Sequence, residues 1–355
     1  MKIRTVLAAM TLLPMAAMAQ PKDQPKAEPN PATNHYVEVP GFFKLPAGRS
    51  MGSSSAVMGD SKGNIWVVDR CAANSCVGSK LDPVMEFDAK GNFVKSFGAG
   101  LLQFAHGFTI DRNDHLWITD GVPPGGKGTQ GHTVMEFDSS GKLLRTMGKP
   151  GVRGSAPDGF TEPNAVLVAP DGSIFVAEAH SAQFMDAPGP GAIGRISKFS
   201  PEGKFIKSWG SFGFGTSQFR GPHSFAMDSR GRLFVADRGN RRVQIFDQEG
   251  KHLDTWYQFS RISGLYIDAK DTLYAIDSES DDNYNPGWRK GLRVGSARTG
   301  EVWYFVPEHV SKQASGMGGY GSMGEGVAVD AAGNVYGGEV GPIQGVTKFV
   351  PRLKR

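Results

Sequence analysis

His106, His223 and Glu325 are residues of metal-ligand type that occupy one slot in a repeating sequence. Their contexts align as AHGF at 105–108, PHSF at 222–225 and GEGV at 324–327. The intervening copies place Ser55, Asn164 and Ser263 there, which are weak ligands but competent hydrogen-bond partners for a water or a substrate. Strong and weak ligands thus alternate, and alternate members of a six-fold ring form a triangle around its axis. Two imidazoles and a carboxylate are the donor set of catalytic zinc sites that keep a fourth position open. Two readings stand: a single divalent ion, zinc by its donors, or polar filler in a wet channel. On the metal reading, affinity falls as pH drops through the histidine range, near about 6.5 when unperturbed. Exchanging Glu325 for His is then expected to tighten the site.

Arg70 follows Asp69 and Arg238 follows Asp237, at the chain end that returns to the same rim. A guanidinium grips a carboxylate through two parallel N–H bonds, so two of them beside a cation suit an anionic substrate. The competing use is a salt bridge to a neighbouring repeat's acid. With Asn164 in the slot, these arginines form the expected substrate-binding set. The longest insertions, at 71–83, 121–133, 181–194 and 278–291, fall at the same point and wall a cup. They are rich in Gly and Pro, with Phe184, Tyr284 and Trp288 as aromatics that can face a ligand. His180 stands on this rim, just past Glu178, where it can move a proton. His35, His115, His132, His252 and His309 share no register.

These positions are set by short strands. An aliphatic–aromatic–small–small–acid run recurs at Ile65–Asp69, Leu116–Asp120, Ile174–Glu178 and Leu233–Asp237, then at 273–277 and 335–339. A further strand recurs as MEFD at 85–88 and 135–138, ISKF at 196–199, VQIF at 243–246 and VTKF at 346–349. Turn residues separate the runs, as in the stretch 221–251. Four strands per unit, at a period of about 40–45 residues, predict an all-β propeller with six four-stranded blades. One blade cannot cover its own faces, so Trp66, Trp117 and Phe234 are expected between blades. The acids ending the second strands read as structural, since every copy has one. The sixth copy lacks a fourth strand, whereas residues 36–45 hold two strand-like runs (36–39 and 42–45) without a blade. They are expected to close the ring.

Residues 1–19 carry Lys2 and Arg4, an apolar run and Ala17-Met18-Ala19, the pattern of a secretory signal, too short for a membrane span. Residues 20–35 read as a flexible leader and 36–355 as a single propeller, expected to be monomeric and periplasmic or secreted. The net charge of +4, or +2 without Lys2 and Arg4, has no basic run behind it and excludes nucleic acid as a partner. The two cysteines, Cys71 and Cys76, are expected to pair in an exported chain.

The repeats resemble the NHL class of six-bladed propellers and, more narrowly, the peptidyl-α-hydroxyglycine α-amidating lyase family. FAHGFTID at 104–111 with LWITD at 116–120 matches that family's first zinc-histidine segment. QFRGPHSF at 218–225 with VADRGN at 235–240 matches the second, and GKFIKSWG at 203–210 the strand between them. The similarity covers about residues 50–350. It implies cleavage of a peptidyl-α-hydroxyglycine to a peptide amide and glyoxylate on zinc held by three histidines. By position His106 and His223 are ligands, Arg70 and Arg238 active-site arginines, and His180 stands at the catalytic tyrosine. The third ligand is Glu325 where the family has His, and Gly326 replaces the family's calcium-binding Asp. Zinc is therefore the expected ion, with calcium a second candidate. The leading expectation is an exported metal-dependent lyase-like enzyme acting on a small or peptide-linked carboxylate. The alternative is a non-catalytic propeller that binds a peptide, glycan or protein partner.

Overall fold

Every repeat folds as an antiparallel meander because its strands are short, four to six residues apart from the eight of Gln344–Pro351, and are punctuated by turns that one aspartate can cap. In blade 1, Asp60 Oδ1 accepts the N–H groups of Lys62 and Asn64, and its Oδ2 takes the Trp66 indole N–H at 3.0 Å. Asp111 does the same for Trp117 in blade 2. The chain is seen in a computed structural model describing residues 30–31, 34–123, 126, 128–189, 192–308, 324–341 and 344–352. The signal at 1–19, leader residues 20–29, 32 and 33, and His309 lie outside the described residues.

Six four-stranded sheets stand around a ring. Their inner strands are Ser54–Gly59, Ala105–Ile110, Pro163–Val168, Pro222–Met227, Gly264–Ile267 and Gly326–Val329, each beside the next. They enclose a channel of about 270 Å³. The core is divided among the blade interfaces. Trp66 packs with Ala105 and Phe108 of blade 2, and Trp117 with Val166 and Val176 of blade 3. Phe175 meets Phe225, Phe234 meets Leu265, Tyr274 meets Val327, and Tyr336 meets Val57. The aromatic position of the second strand is thus the wedge of all six interfaces. The acids that end these strands are structural, as expected. Asp120 accepts from the backbone N–H of Phe104, and Glu178 from that of Thr161, tying each strand to the segment leading into its own blade.

Tyr36–Val39 supplies the missing outer strand, pairing antiparallel with Gln344–Pro351 in the sixth blade. The second run, 42–45, forms no strand. Lys44 makes a single bridge to Asn92, while Phe42, Phe43 and Leu45 pack on the core between blades 6 and 1. Among the described residues no helix is long and apolar enough to cross a membrane.

Cys71 and Cys76 form a disulfide. The loop it closes holds Asn74, whose Oδ1 accepts from Arg70 Nη1 at 2.8 Å. Closing so short a loop is worth only about 2 kcal/mol in the chain-entropy model. Reduction should therefore speed amide exchange at 70–76 with little change in the global unfolding midpoint. Uniform acceleration across the propeller would contradict this local role.

Candidate metal centre

The slot residues meet at the start of the inner strands because neighbouring strands approach closely there. A Cβ on Gly107 would lie 2.3 Å from the Asn164 carbonyl oxygen, so glycine lets blades 2 and 3 close up. His106 Nδ1 then donates to that carbonyl at 2.9 Å, and His223 Nδ1 to the Ser263 carbonyl at 2.8 Å. Ser55 Oγ reaches the Ala105 carbonyl and Asn164 Nδ2 the Pro222 carbonyl, so slot side chains bond each of blades 1 to 4 to the blade after it. With the proton fixed on Nδ1, each histidine presents the Nε2 lone pair, the arrangement in which metal-binding imidazoles are held. His106 Nε2 is buried without a hydrogen-bond partner among the described residues. Glu325 faces both rings, its oxygens 3.7 Å from His106 Nε2 and 3.8 Å from His223 Nε2.

The structure adds His180 to this triangle. Donor atoms of His106, His180, His223 and Glu325 all lie within 4.8 Å of one another. The His180 ring is 4.8 Å from that of His106 and 5.4 Å from that of His223. It arrives on a 3-10 turn, His180–Phe184, entered through Ala179 in the left-handed region at φ 81°. A side chain at Gly239 would meet the Arg220 carbonyl oxygen at 2.5 Å and the Gln183 Cα at 3.0 Å, so that glycine lets the turn settle over the cluster. Left-handed non-glycine residues also follow Arg70 (Cys71, Ala72) and Arg238 (Arg241), a form of strain that gathers at functional sites.

Both arginines converge on Glu325. Arg70 Nη2 lies 3.5 Å from Oε2, with its guanidinium 3.8 Å over the Phe104 ring. Arg238 Nη1 is 3.2 Å from Oε1 and also reaches His223 Nε2. The salt-bridge use is therefore realised, with the slot carboxylate as the acid. Arg238 Nη2 is engaged by Glu279 at 2.6 Å, and Glu279 is held in turn by Arg261 at 2.9 Å. Asn164 is buried, and its Oδ1 has no partner among the described residues. Tyr284 lies over Arg261 and Phe184 is exposed, whereas Trp288 stacks on Arg293 instead. Gly326 has no side chain to offer calcium, and a Cβ there would meet Ala56 Cα at 2.6 Å.

Burial lowers the pKa of His106 to about 4 and of His180 to about 3, and takes His223 well below its usual value, with Arg238 adding to the effect there. Burial acts to raise the Glu325 carboxyl, but His106, Arg238 and Arg70 together hold it at about 2. The imidazoles thus stay neutral well below the pH of about 6.5 expected for free histidine. In the unfolded chain they bind protons from about 6.5 downward; in the folded chain they do not until near 4. The unfolded state is then favoured as pH falls, so the metal-free protein should lose stability from pH 6.5 toward 4. Thermal midpoints in a chelator, measured across that range, should fall for the wild type and fall less for His106→Gln. A flat profile would contradict the buried neutral cluster.

A second group, Asp111, His115 and Glu136, could also reach a metal. It repeats the turn of blade 1, where Asn64 donates to Glu86 at 2.7 Å as His115 bonds Glu136 at 2.8 Å. An asparagine in the same role marks the group as structural. Reasoning from sequence missed Asn74, Phe104, Gln183, Arg261 and Glu279. Phe104 and Arg261 each stand two residues before a slot residue, a register that would have flagged both.

Residues 219–246 match the NHL repeat. The chain is 32% identical over 185 residues to NHL repeat-containing protein 3 of Homo sapiens, covering 50% of this chain and 49% of that protein. It is 30% identical over 272 residues to the peptidyl-glycine alpha-amidating monooxygenase of Mus musculus, covering 68% of this chain and 25% of that one. To peptidyl-alpha-hydroxyglycine alpha-amidating lyase 1 of Drosophila melanogaster it is 28% identical over 281 residues, with shares of 74% and 48%. The matches span about half the length of the human relative, or less in the others. A gluconolactonase structure from Xanthomonas campestris superposes with TM-score 0.54 at 15% identity, covering 85% of this chain and 86% of that one, which shows a shared fold. The chain is a six-bladed β-propeller with an NHL repeat. Within that class it is similar to the amidating lyases.

Proposed function

We propose that this propeller is an exported, metal-dependent, lyase-like enzyme acting on a small or peptide-linked carboxylate. One observation carries the reading: three buried or half-buried imidazoles and a carboxylate converge within 4.8 Å, and His106 Nε2 has no hydrogen-bond partner among the described residues. Neutral nitrogen donors, two of them (His106 and His223) with Nδ1 held by a backbone carbonyl, fit zinc, which when bound would act as a Lewis acid toward a substrate oxygen. Export is supported by the pattern at 1–19 and by the disulfide, which persists in oxidising compartments.

His106 and His223 are the ligands in this reading. His180 sits nearly as close to His106 as His223 does, with ring separations of 4.8 Å and 4.6 Å, and we assign it as the third imidazole in place of the proton-moving role. Glu325 then serves mainly to neutralise Arg70 and Arg238. Those arginines orient the substrate carboxylate, and Asn164 Oδ1 can accept from its amide or hydroxyl. By likeness to the amidating lyases, the reaction is loss of the hydroxyl proton of an α-hydroxyglycine, cleavage of its C–N bond and protonation of the released nitrogen. The products are an amide and glyoxylate. Glyoxylate release from a peptidyl-α-hydroxyglycine by the zinc-loaded protein is the test. His180→Gln should lose metal if the residue is a ligand and keep it if it only moves protons. Absence of both metal and turnover would favour a binding propeller, a reading supported by the likeness to NHL repeat-containing protein 3.

A further inference from the structure

Glu279 lies where an incoming anion would be expected. It is the second residue of the rim insertion after blade 5's second strand, Thr272–Asp277. Its two oxygens are divided between two guanidiniums, Oε1 on Arg238 Nη2 at 2.6 Å and Oε2 on Arg261 Nη2 at 2.9 Å. Both arginine side chains are almost wholly buried, at 0% and 3% exposure, while that of Glu279 remains 23% exposed. Arg261 is held independently of this acid: Nη1 donates to the Arg238 carbonyl at 3.2 Å, Nη2 to Gln183 Oε1 at 3.1 Å, and the guanidinium lies over Tyr284. The Nε atoms of both arginines are buried without partners among the described residues. Two fixed cations are therefore bridged by the one member of the set that reaches solvent.

We infer that Glu279 is an internal stand-in for the substrate carboxylate, and that Arg238 and Arg261 together form the carboxylate subsite that the substrate takes over when Glu279 swings out. The inference rests on the reading of this site as one for a carboxylate substrate, and adds Arg261 and Glu279 as residues that set its specificity. A bidentate exchange of one carboxylate for another conserves the charge-assisted hydrogen bonds and leaves no buried guanidinium unpaired. Gln183 also touches His180, at 3.2 Å between the two Nε2 atoms, so the subsite adjoins the metal cluster.

The test is calorimetric titration of the full chain with N-acetylglycine, and with the neutral N-acetylglycinamide as control, in chelator and again with zinc. Glu279→Gln removes the competing charge and should bind N-acetylglycine about tenfold tighter than wild type. Arg261→Gln should bind it about tenfold more weakly, and the double variant should lose the gain. The amide should respond to neither. Glu279→Asp, too short to span both arginines, should shift in the same direction as Glu279→Gln if the latter does not fold. Binding that is unchanged or weaker in the Glu279 variants would make the residue a fixed strut and overturn the inference. Zinc content in the same samples separates the two claims: zinc without the gain sinks this inference alone, and the gain without zinc sinks the metal reading alone.

Discussion

Deleting residues 20–46 should collapse the stability of the propeller, whereas deleting 20–34 should cost much less. The longer deletion removes Tyr36–Val39, the strand paired with the last strand's outer edge in blade 6. Tyr36 is 5% exposed and packs with Tyr274 and Val327 between blades 5 and 6. Phe42, Phe43 and Leu45 pack on the core between blades 6 and 1. At about 1.5–3 kcal/mol for each fully buried large side chain, discounted for those only half-buried, the loss is on the order of 5 kcal/mol. The shorter deletion removes the surface bonds of Asn30 to Gly287 and Arg289, its bond to the buried guanidinium of Arg293, and the Asn34 bond to the Tyr36 N–H. The neutral bonds contribute about 0.5–1.5 kcal/mol each and the one from the guanidinium about 1.5–3 kcal/mol, whereas the longer deletion loses all of these and the buried side chains as well. Denaturant unfolding of the two deletions checks this. Equal, small losses would mean that the ring is held elsewhere.

The second large effect concerns Glu325. Sequence reasoning expects Glu325→His to tighten a metal site; in the metal-free fold the same exchange should cost stability. Arg70 and Arg238, at 3% and 0% side-chain exposure, both take Glu325 as counter-charge. Removing that carboxylate leaves cationic groups buried beside a metal site, and breaking a buried pair from one side costs about 3–5 kcal/mol. Glu325→Gln and Glu325→His should each destabilise the metal-free protein by about that amount. Adding Arg70→Gln to Glu325→Gln should recover part of it. Wild-type stability in Glu325→His would contradict the assignment of Glu325 as the neutralising acid.

The blades were legible because the strand pattern repeats six times and its aromatic has one job at every interface. Closure by Tyr36–Val39 followed from a missing fourth strand. The 42–45 run misled because Phe42, Phe43 and Leu45 are apolar for packing, and one bridge at Lys44 does not make a strand. In the site, register found His106, His223 and Glu325, since equivalent residues of a ring face one axis. Register cannot locate what loops bring in. His180 looked like a rim residue until the turn after Ala179 placed it against His106, and Glu279 reaches its arginines from a rim insertion whose residues share no register with those of the other blades.

Central to the proposed function is that His106, His180 and His223 hold one divalent ion, with Glu325 beside them as the counter-charge of Arg70 and Arg238. The direct measurement is metal content of the purified, tag-free chain by mass spectrometry, beside the His106→Ala, His223→Ala double variant. About one zinc per chain in the wild type and none in the double variant is the predicted result. A wild type that takes up no divalent metal when offered it, or a double variant that keeps it, would contradict the account.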